Sequence, residues 1–213
     1  MSPSHPPDSY CTLGGVGDAE IKIQRSRFVA WAGPAPDEDA ARAFIADLAR
    51  RYHDSRHVCF AWRLGRTGSP TENRNDDGEP SGTAGEPILA AIRRRDVTDV
   101  VAVVVRYFGG VKLGTGGLQR AYGEAADLAL AAAPLREVLL GRTFRLALPY
   151  PFQKTARHLL ENSRGRIQDE EYSDRVVWKV WLPHSTWEAC QAALTEASAA
   201  AVKLEPLEGD PGT

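Results

Sequence analysis

The side chains best suited to chemistry fall in two glycine-rich segments of opposite charge. The first, Asp76-Asp77-Gly78-Glu79-Pro80-Ser81-Gly82-Thr83-Ala84-Gly85, holds three acids and no base. The second runs from Arg106 to Tyr122 and holds three bases, Arg106, Lys112 and Arg120, and no acid. Each ends where a helix is expected to begin. Backbone N–H groups at a helix start attract anions, and glycines let a ligand come close to the main chain. The chemistry implied is anion binding. Its candidate residues are Arg106, Tyr107, Gly109, Gly110, Lys112, Gly114, Thr115, Gly116, Gly117 and Arg120. The acidic segment supplies a supporting set, Asp76, Asp77, Glu79, Ser81 and Thr83: the acids pair with the bases, and Ser81 or Thr83 caps the next helix. For the glycines alone two readings stand open, a binding surface or close packing of a helix on a sheet.

Standard motifs do not fit. Gly114-Thr115-Gly116-Gly117-Leu118-Gln119 has Gln where a dinucleotide fingerprint needs its last glycine, and Thr115 stands where a P-loop needs lysine. Asn73, Asn75, Asp77 and Gly78 follow the start of an EF-hand loop, but Ala84 occupies the position of its bidentate glutamate. His53 and His57 find no third zinc ligand. Cys59 lies two residues from His57 on a strand, without an orienting acid, and reads as a small buried hydrophobe. Glu79-Pro80-Ser81-Gly82-Thr83 is not a nucleophile elbow. No metal and no cofactor is expected.

Several elements must position these segments. Ile21 to Trp31 reads as strand, with Lys22, Arg25 and Arg27 on an exposed face or at a turn around Ser26. Residues 37–52 read as an amphipathic helix with Asp37 at its N-cap. His57 to Leu64 is a strand, and Gly65 to Pro80 a long polar loop. Thr83 to Arg95 is a helix that tolerates Pro87 near its start. Asp99 to Val105, with its valine run, is a central strand buried on both faces. Thr115 to Ala132 is an alanine-rich helix. Tyr107, Phe108 and Tyr122 flank the basic segment, where aromatics beside bases can stack on single-stranded nucleic acid, but Phe108 reads as core. A second unit starts near Val138, with strand 142–149, helix 152–163, hairpin 166–182, a helix opened by the capping box Ser185-Thr186-Trp187-Glu188, and a last strand 200–204. Trp178 and Trp181 point to opposite faces, one into the core and one outward. The order β-α-β-β-α-β is that of a ferredoxin-like domain.

Composition narrows the classes. The net charge of −2 over 213 residues argues against a uniformly basic nucleic-acid binder but leaves room for a local basic patch. Three scattered cysteines and no CxxC argue against a disulfide framework and fit a reducing cytosol. Met1 to Asp8, rich in Ser and Pro, reads as a disordered leader rather than a signal peptide, and no apolar run is long enough to span a bilayer.

The stretch Asn75 to Gly85, followed by Arg106 to Tyr122, closely resembles the YigZ/IMPACT family. Lys22 to Ala30 and His57 to Arg63 resemble the family's first strands, so the likeness covers roughly residues 18 to 133. The remainder resembles the small C-terminal domain of bacterial members. The resemblance implies an α+β protein: a ribosomal protein S5 domain 2-like domain, with a left-handed βαβ crossover, followed by a ferredoxin-like domain. The corresponding boundaries are 1–17 leader, 18–137 first domain, 138–206 second domain and 207–213 polar tail. It also implies a translation-associated role, since eukaryotic relatives restrain translational control through a protein partner. Glu86 departs from the family pattern and adds negative charge beside the acidic segment. The expectation is a cytoplasmic, non-enzymatic protein that binds RNA or a ribosome-associated partner through the basic segment, with no membrane and no sequence-specific DNA binding. Two alternatives remain: an enzyme acting on a phosphorylated small molecule, and a pure protein-interaction module.

Overall fold

The computed structural model describes residues 9–65 and 70–207. The expected leader at 1–8 and the tail at 208–213 lie outside the described residues. The chain forms two compact units, one spanning Cys11–Glu137 and the other joining the residues up to Tyr10 to those from Val138 onward. The folding pattern is mixed α and β.

In the first unit β1 (Ser9–Leu13) is ordered, where a disordered leader to residue 17 was expected. Its end is anchored: Leu13 is fully buried, and Thr12 donates to the carbonyl of Asp99. The expected strand 21–31 is a hairpin of β2 (Gly17–Ile23) and β3 (Ser26–Pro34). Gln24 and Arg25 both adopt positive φ, 43° and 67°, which matches the twist of a two-residue hairpin turn. Neither is a usual turn residue at such angles, and the turn weighed around Ser26 lies at the two residues before it. Helix α1 (Glu38–Arg51) starts as expected, with Asp37 accepting from the Ala40 N–H at 2.8 Å.

Strand β4 (His57–Leu64) is followed by β5 (Thr71–Asn75), in place of an unbroken loop. β5 reads Thr-Glu-Asn-Arg-Asn and is almost wholly exposed, because it is an edge strand and needs no apolar face. Then come α2 (Gly85–Arg94), β6 (Val100–Tyr107) and α3 (Gly114–Ala132). The sheet order is β2-β3-β6-β4-β5, with β6 central. Its valine run serves two cores. Val100, Ala102 and Val104 face α2 and α3, while Val101, Val103 and Val105 join Leu48 of α1 and Trp62. The alanines of α3 bring it close to the sheet: a Cβ on Gly17 would stand 2.3 Å from the Ala133 nitrogen. Truncating a residue such as Leu89, fully buried in this core, would cost about 2–5 kcal/mol.

β7 (Leu135–Leu139) pairs with β1 and leads into the second unit. That unit comprises β8 (Gly141–Leu148), α4 (Gln153–Asn162), β9 (Arg166–Tyr172), β10 (Val176–Pro183), α5 (Trp187–Ala197) and β11 (Leu204–Pro206). The sheet order is β11-β8-β10-β9, all antiparallel. Two expectations fail here. Trp178 and Trp181 are both buried, since Trp181 packs on Gly141, whose missing side chain makes room for the indole. Thr186, not Ser185, stands at the N-cap of α5, and its hydroxyl donates to Ser163 O instead of capping. The last strand also begins later than expected, at Leu204.

Candidate functional site

The acidic segment folds back on itself. Asp76 accepts hydrogen bonds from the backbone N–H groups of Gly82, Ala84 and Gly85 at 2.8–2.9 Å. These are the donors at the start of α2, so an internal carboxylate fills that helix's anion site. Burial pushes the Asp76 carboxyl up, but the three backbone bonds outweigh it and hold the group below the usual carboxylate range. The expected capping by Ser81 or Thr83 does not occur: Thr83 donates to Pro80 O, and Ser81 is exposed. Asp77 accepts from the Val58 N–H at 2.6 Å, and its carbonyl lies 2.7 Å from His57 Nδ1. A carbonyl only accepts, so Nδ1 carries the proton. Glu86 is neutralised by Arg74 at 2.6 Å and Arg93 at 3.2 Å.

Arg106 and Glu79 form a buried pair. Glu79 Oε1 accepts from Arg106 Nη1 at 2.6 Å and from the Tyr122 hydroxyl at 2.9 Å, and His57 Nε2 lies 3.8 Å away. The side chains of Arg106 and Glu79 are only 6% and 4% exposed. Of the three acids expected to pair with the bases, Glu79 does so with Arg106, whereas Asp76 and Asp77 accept from backbone N–H groups instead. The placing of Arg106 among outward-facing phosphate ligands fails, because its charge is spent on Glu79 inside the protein. Losing one member of such a pair costs about 3–5 kcal/mol, so this is first a structural strut. Cys59 donates to the carbonyl of Asp76 at 3.1 Å, and burial pushes its thiol up to about 12. It is protonated at neutral pH and is no nucleophile. Among the described residues no group of three His, Cys, Asp or Glu side chains could hold a metal.

The basic segment divides by role. Gly109 is a packing glycine: a Cβ there would stand 2.1 Å from the Arg25 backbone, and its N–H donates to Ser26. Tyr107 turns its hydroxyl to Asp54 at 2.7 Å. Beyond them the surface is open. Gly110, Gly114 and Gly116 have nothing within 4 Å of an added Cβ, so no packing demand explains them. Gly114 adopts φ +70°, the left-handed turn that starts α3. No side chain caps α3, and its first turn contains no acid. Lys112, Thr115 and Arg120 are exposed.

Two concavities flank this helix start. One is a cavity of about 330 Å³ walled by Pro80, Phe108, Leu113 and Leu118. Arg106 and Glu79 line it, and Lys112, Gly114 and Thr115 complete it. The other is a groove of about 630 Å³ between α2 and α3, where Gly82 and Gly116 meet Arg94 and Arg120 and the acids Glu86 and Glu124. The expected single basic surface is thus split, with Lys112 on one concavity and Arg120 on the other. Phe108, expected in the core, is 43% exposed, because it lies one residue past the end of β6. The apolar walls at Leu113 and Leu118 have no signal in charge or glycine spacing, and Phe108 takes the exposed place that was weighed for it against core packing. No described helix is long and apolar enough to cross a membrane.

Comparison with known proteins places the chain. The Impact N-terminal domain profile matches residues 24–130, and a domain of unknown function, DUF1949, matches 146–201. The chain is 34% identical to "IMPACT family member YvyE" of Bacillus subtilis, over 88% of this chain and 86% of that protein. It is 45% identical to an IMPACT family member of Thermus thermophilus, over 70% of this chain and 79% of that protein. A crystal structure described as that of a hypothetical protein superposes with a TM-score of 0.66 at 32% identity, covering 96% of this chain and all of that one. With this breadth and level of identity, the chain belongs to the IMPACT family.

Proposed function

We propose that this protein binds single-stranded RNA through the start of α3 and acts on translation in the cytoplasm. The observation that carries this reading is the uncapped, acid-free first turn of α3, whose Gly114 and Gly116 leave the backbone unobstructed beside the exposed Lys112. Unsatisfied N–H groups and a nearby ammonium make a phosphate site. Lys112 and the amides of Gly114 to Gly117 take phosphates, and Arg120 extends the contact along the groove toward Arg94. Gly110 keeps the approach clear. Asp76, Asp77 and Glu79 hold the loops in place, and Glu79 rather than a phosphate matches the charge of Arg106. The role in translation rests on the family resemblance. The finer reading of the fold is an S5 domain 2-like domain then a ferredoxin-like one, with boundaries near 18, 137 and 206; its ferredoxin-like part is supported by the strand order of the second sheet, in which the first and third strands of the unit are central.

The test is binding of a single-stranded oligoribonucleotide across a salt series. Lys112→Ala is expected to weaken binding and to shallow the log–log salt slope by roughly 0.7. Unchanged affinity and slope would remove Lys112 from the site. Nuclease-resistant capture of a protein partner, with no RNA affinity at any salt, would favour an interaction module instead. Thermal stabilisation by micromolar nucleotide or sugar phosphate, again with no RNA affinity, would favour an enzyme.

A further inference from the structure

We infer that the cavity beside the α3 start takes one unstacked nucleotide of the bound RNA, with its base inside and its phosphate at the rim. This rests on the RNA-binding reading above and goes further, because phosphate contacts alone would make the protein indifferent to bases.

The charge layout supports the orientation. Inside, the Arg106 guanidinium is matched by Glu79 at 2.6 Å, so the interior holds no net charge to receive a bare phosphate. The unmatched positive features, Lys112 and the uncapped helix start at Gly114 and Thr115, belong to the other part of the lining. A ligand that fits is therefore an uncharged, flat, partly polar body with an anion attached. A nucleotide has that form. At about 330 Å³ the cavity is at the small end of the range for small-molecule sites. Its walls are apolar, and Phe108 offers an exposed ring. The Arg106 guanidinium carbon lies 5.4 Å from the Phe108 ring centroid, so a cationic plane and an aromatic ring stand together. Aromatic rings and arginine planes are the usual platforms for splayed-out bases. Arg106 Nε has no hydrogen-bond partner among the described residues. A buried donor left unmade is costly, and a base carbonyl or ring nitrogen brought against the guanidinium would offer it an acceptor after a small shift.

The experiment compares an oligouridylate, an oligoadenylate and an abasic ribose-phosphate strand of equal length at one salt concentration, with the wild-type protein and with Phe108→Ala. Phe108 is exposed enough that truncation leaves the fold intact, which a matching thermal melt verifies. Loss of one stacked base is expected to weaken binding roughly 5- to 150-fold. The wild type should therefore bind at least one normal strand that much more tightly than the abasic strand. Phe108→Ala should erase most of this preference and leave the salt slope unchanged. Equal binding of all three strands, with Phe108→Ala indistinguishable from wild type, would overturn the nucleotide pocket and leave phosphate binding standing. A base preference untouched by Phe108→Ala would also overturn it, placing the base elsewhere. Failure of every strand to bind would sink both readings.

Discussion

Helices α2 and α3 both begin after a glycine-rich segment, and they treat their first-turn N–H groups in opposite ways. At α2 the donors of Gly82, Ala84 and Gly85 converge on Asp76, which belongs to the same segment. At α3 no side chain answers, and Gly114 and Gly116 face open space. One end has its anion built in and the other lacks one. Glycine content alone therefore does not mark a binding site. What distinguishes the two is whether the chain supplies its own acid.

Experiments can sharpen that contrast. The largest effect is expected from Glu79→Ala, which leaves Arg106 buried and unpaired: about 3–5 kcal/mol lost in a denaturant melt. A loss under about 1 kcal/mol would mean the pair is not the strut described. Next comes Asp76→Ala, which frees three helix-start donors and should cost about 2–3 kcal/mol. Its pH dependence has a definite sign. The Asp76 pKa is lowered by folding, so its contribution is present above the unfolded value of about 3.9 and is lost as pH falls through the lower, folded value. The stability gap between wild type and Asp76→Ala should close on acidification, and a gap that widened would refute the assignment. Smaller and opposite in sign is Gly116→Ala, at an unobstructed helical position, which should stabilise the fold by about 0.5–1 kcal/mol. Smallest is Lys112→Ala, which should leave the melt within about 0.5 kcal/mol of wild type, since Lys112 is exposed.

The contrast was partly legible in the sequence. Opposite charges on the two segments were plain, as was the central strand, since five valines in β6 leave few alternatives to burial on both faces. The split of residues 17–34 into a hairpin was legible only as one option, a turn around Ser26, because Gln24 and Arg25 take positive φ through the pull of the paired strands rather than by preference. β5 was hidden because an edge strand open to solvent needs no apolar alternation. The fate of Arg106 depended on a contact with Glu79, 27 residues away, which no local pattern encodes. The same holds for Phe108. A single aromatic after a buried strand looks like more core, and only the end of β6 at Tyr107 turns it outward.

The most direct test of the account is to make α3 resemble α2. Gly116→Asp sets a carboxylate in the open first turn, where a Cβ meets nothing within 4 Å. An acid near a helix start is favourable by about 0.3–1 kcal/mol, so the fold should hold or tighten. RNA affinity, measured at the same salt as wild type, should fall about tenfold or more as the new acid takes the place of the phosphate. RNA affinity equal to wild type in a stably folded Gly116→Asp protein would contradict the claim that the start of α3 is the anion site.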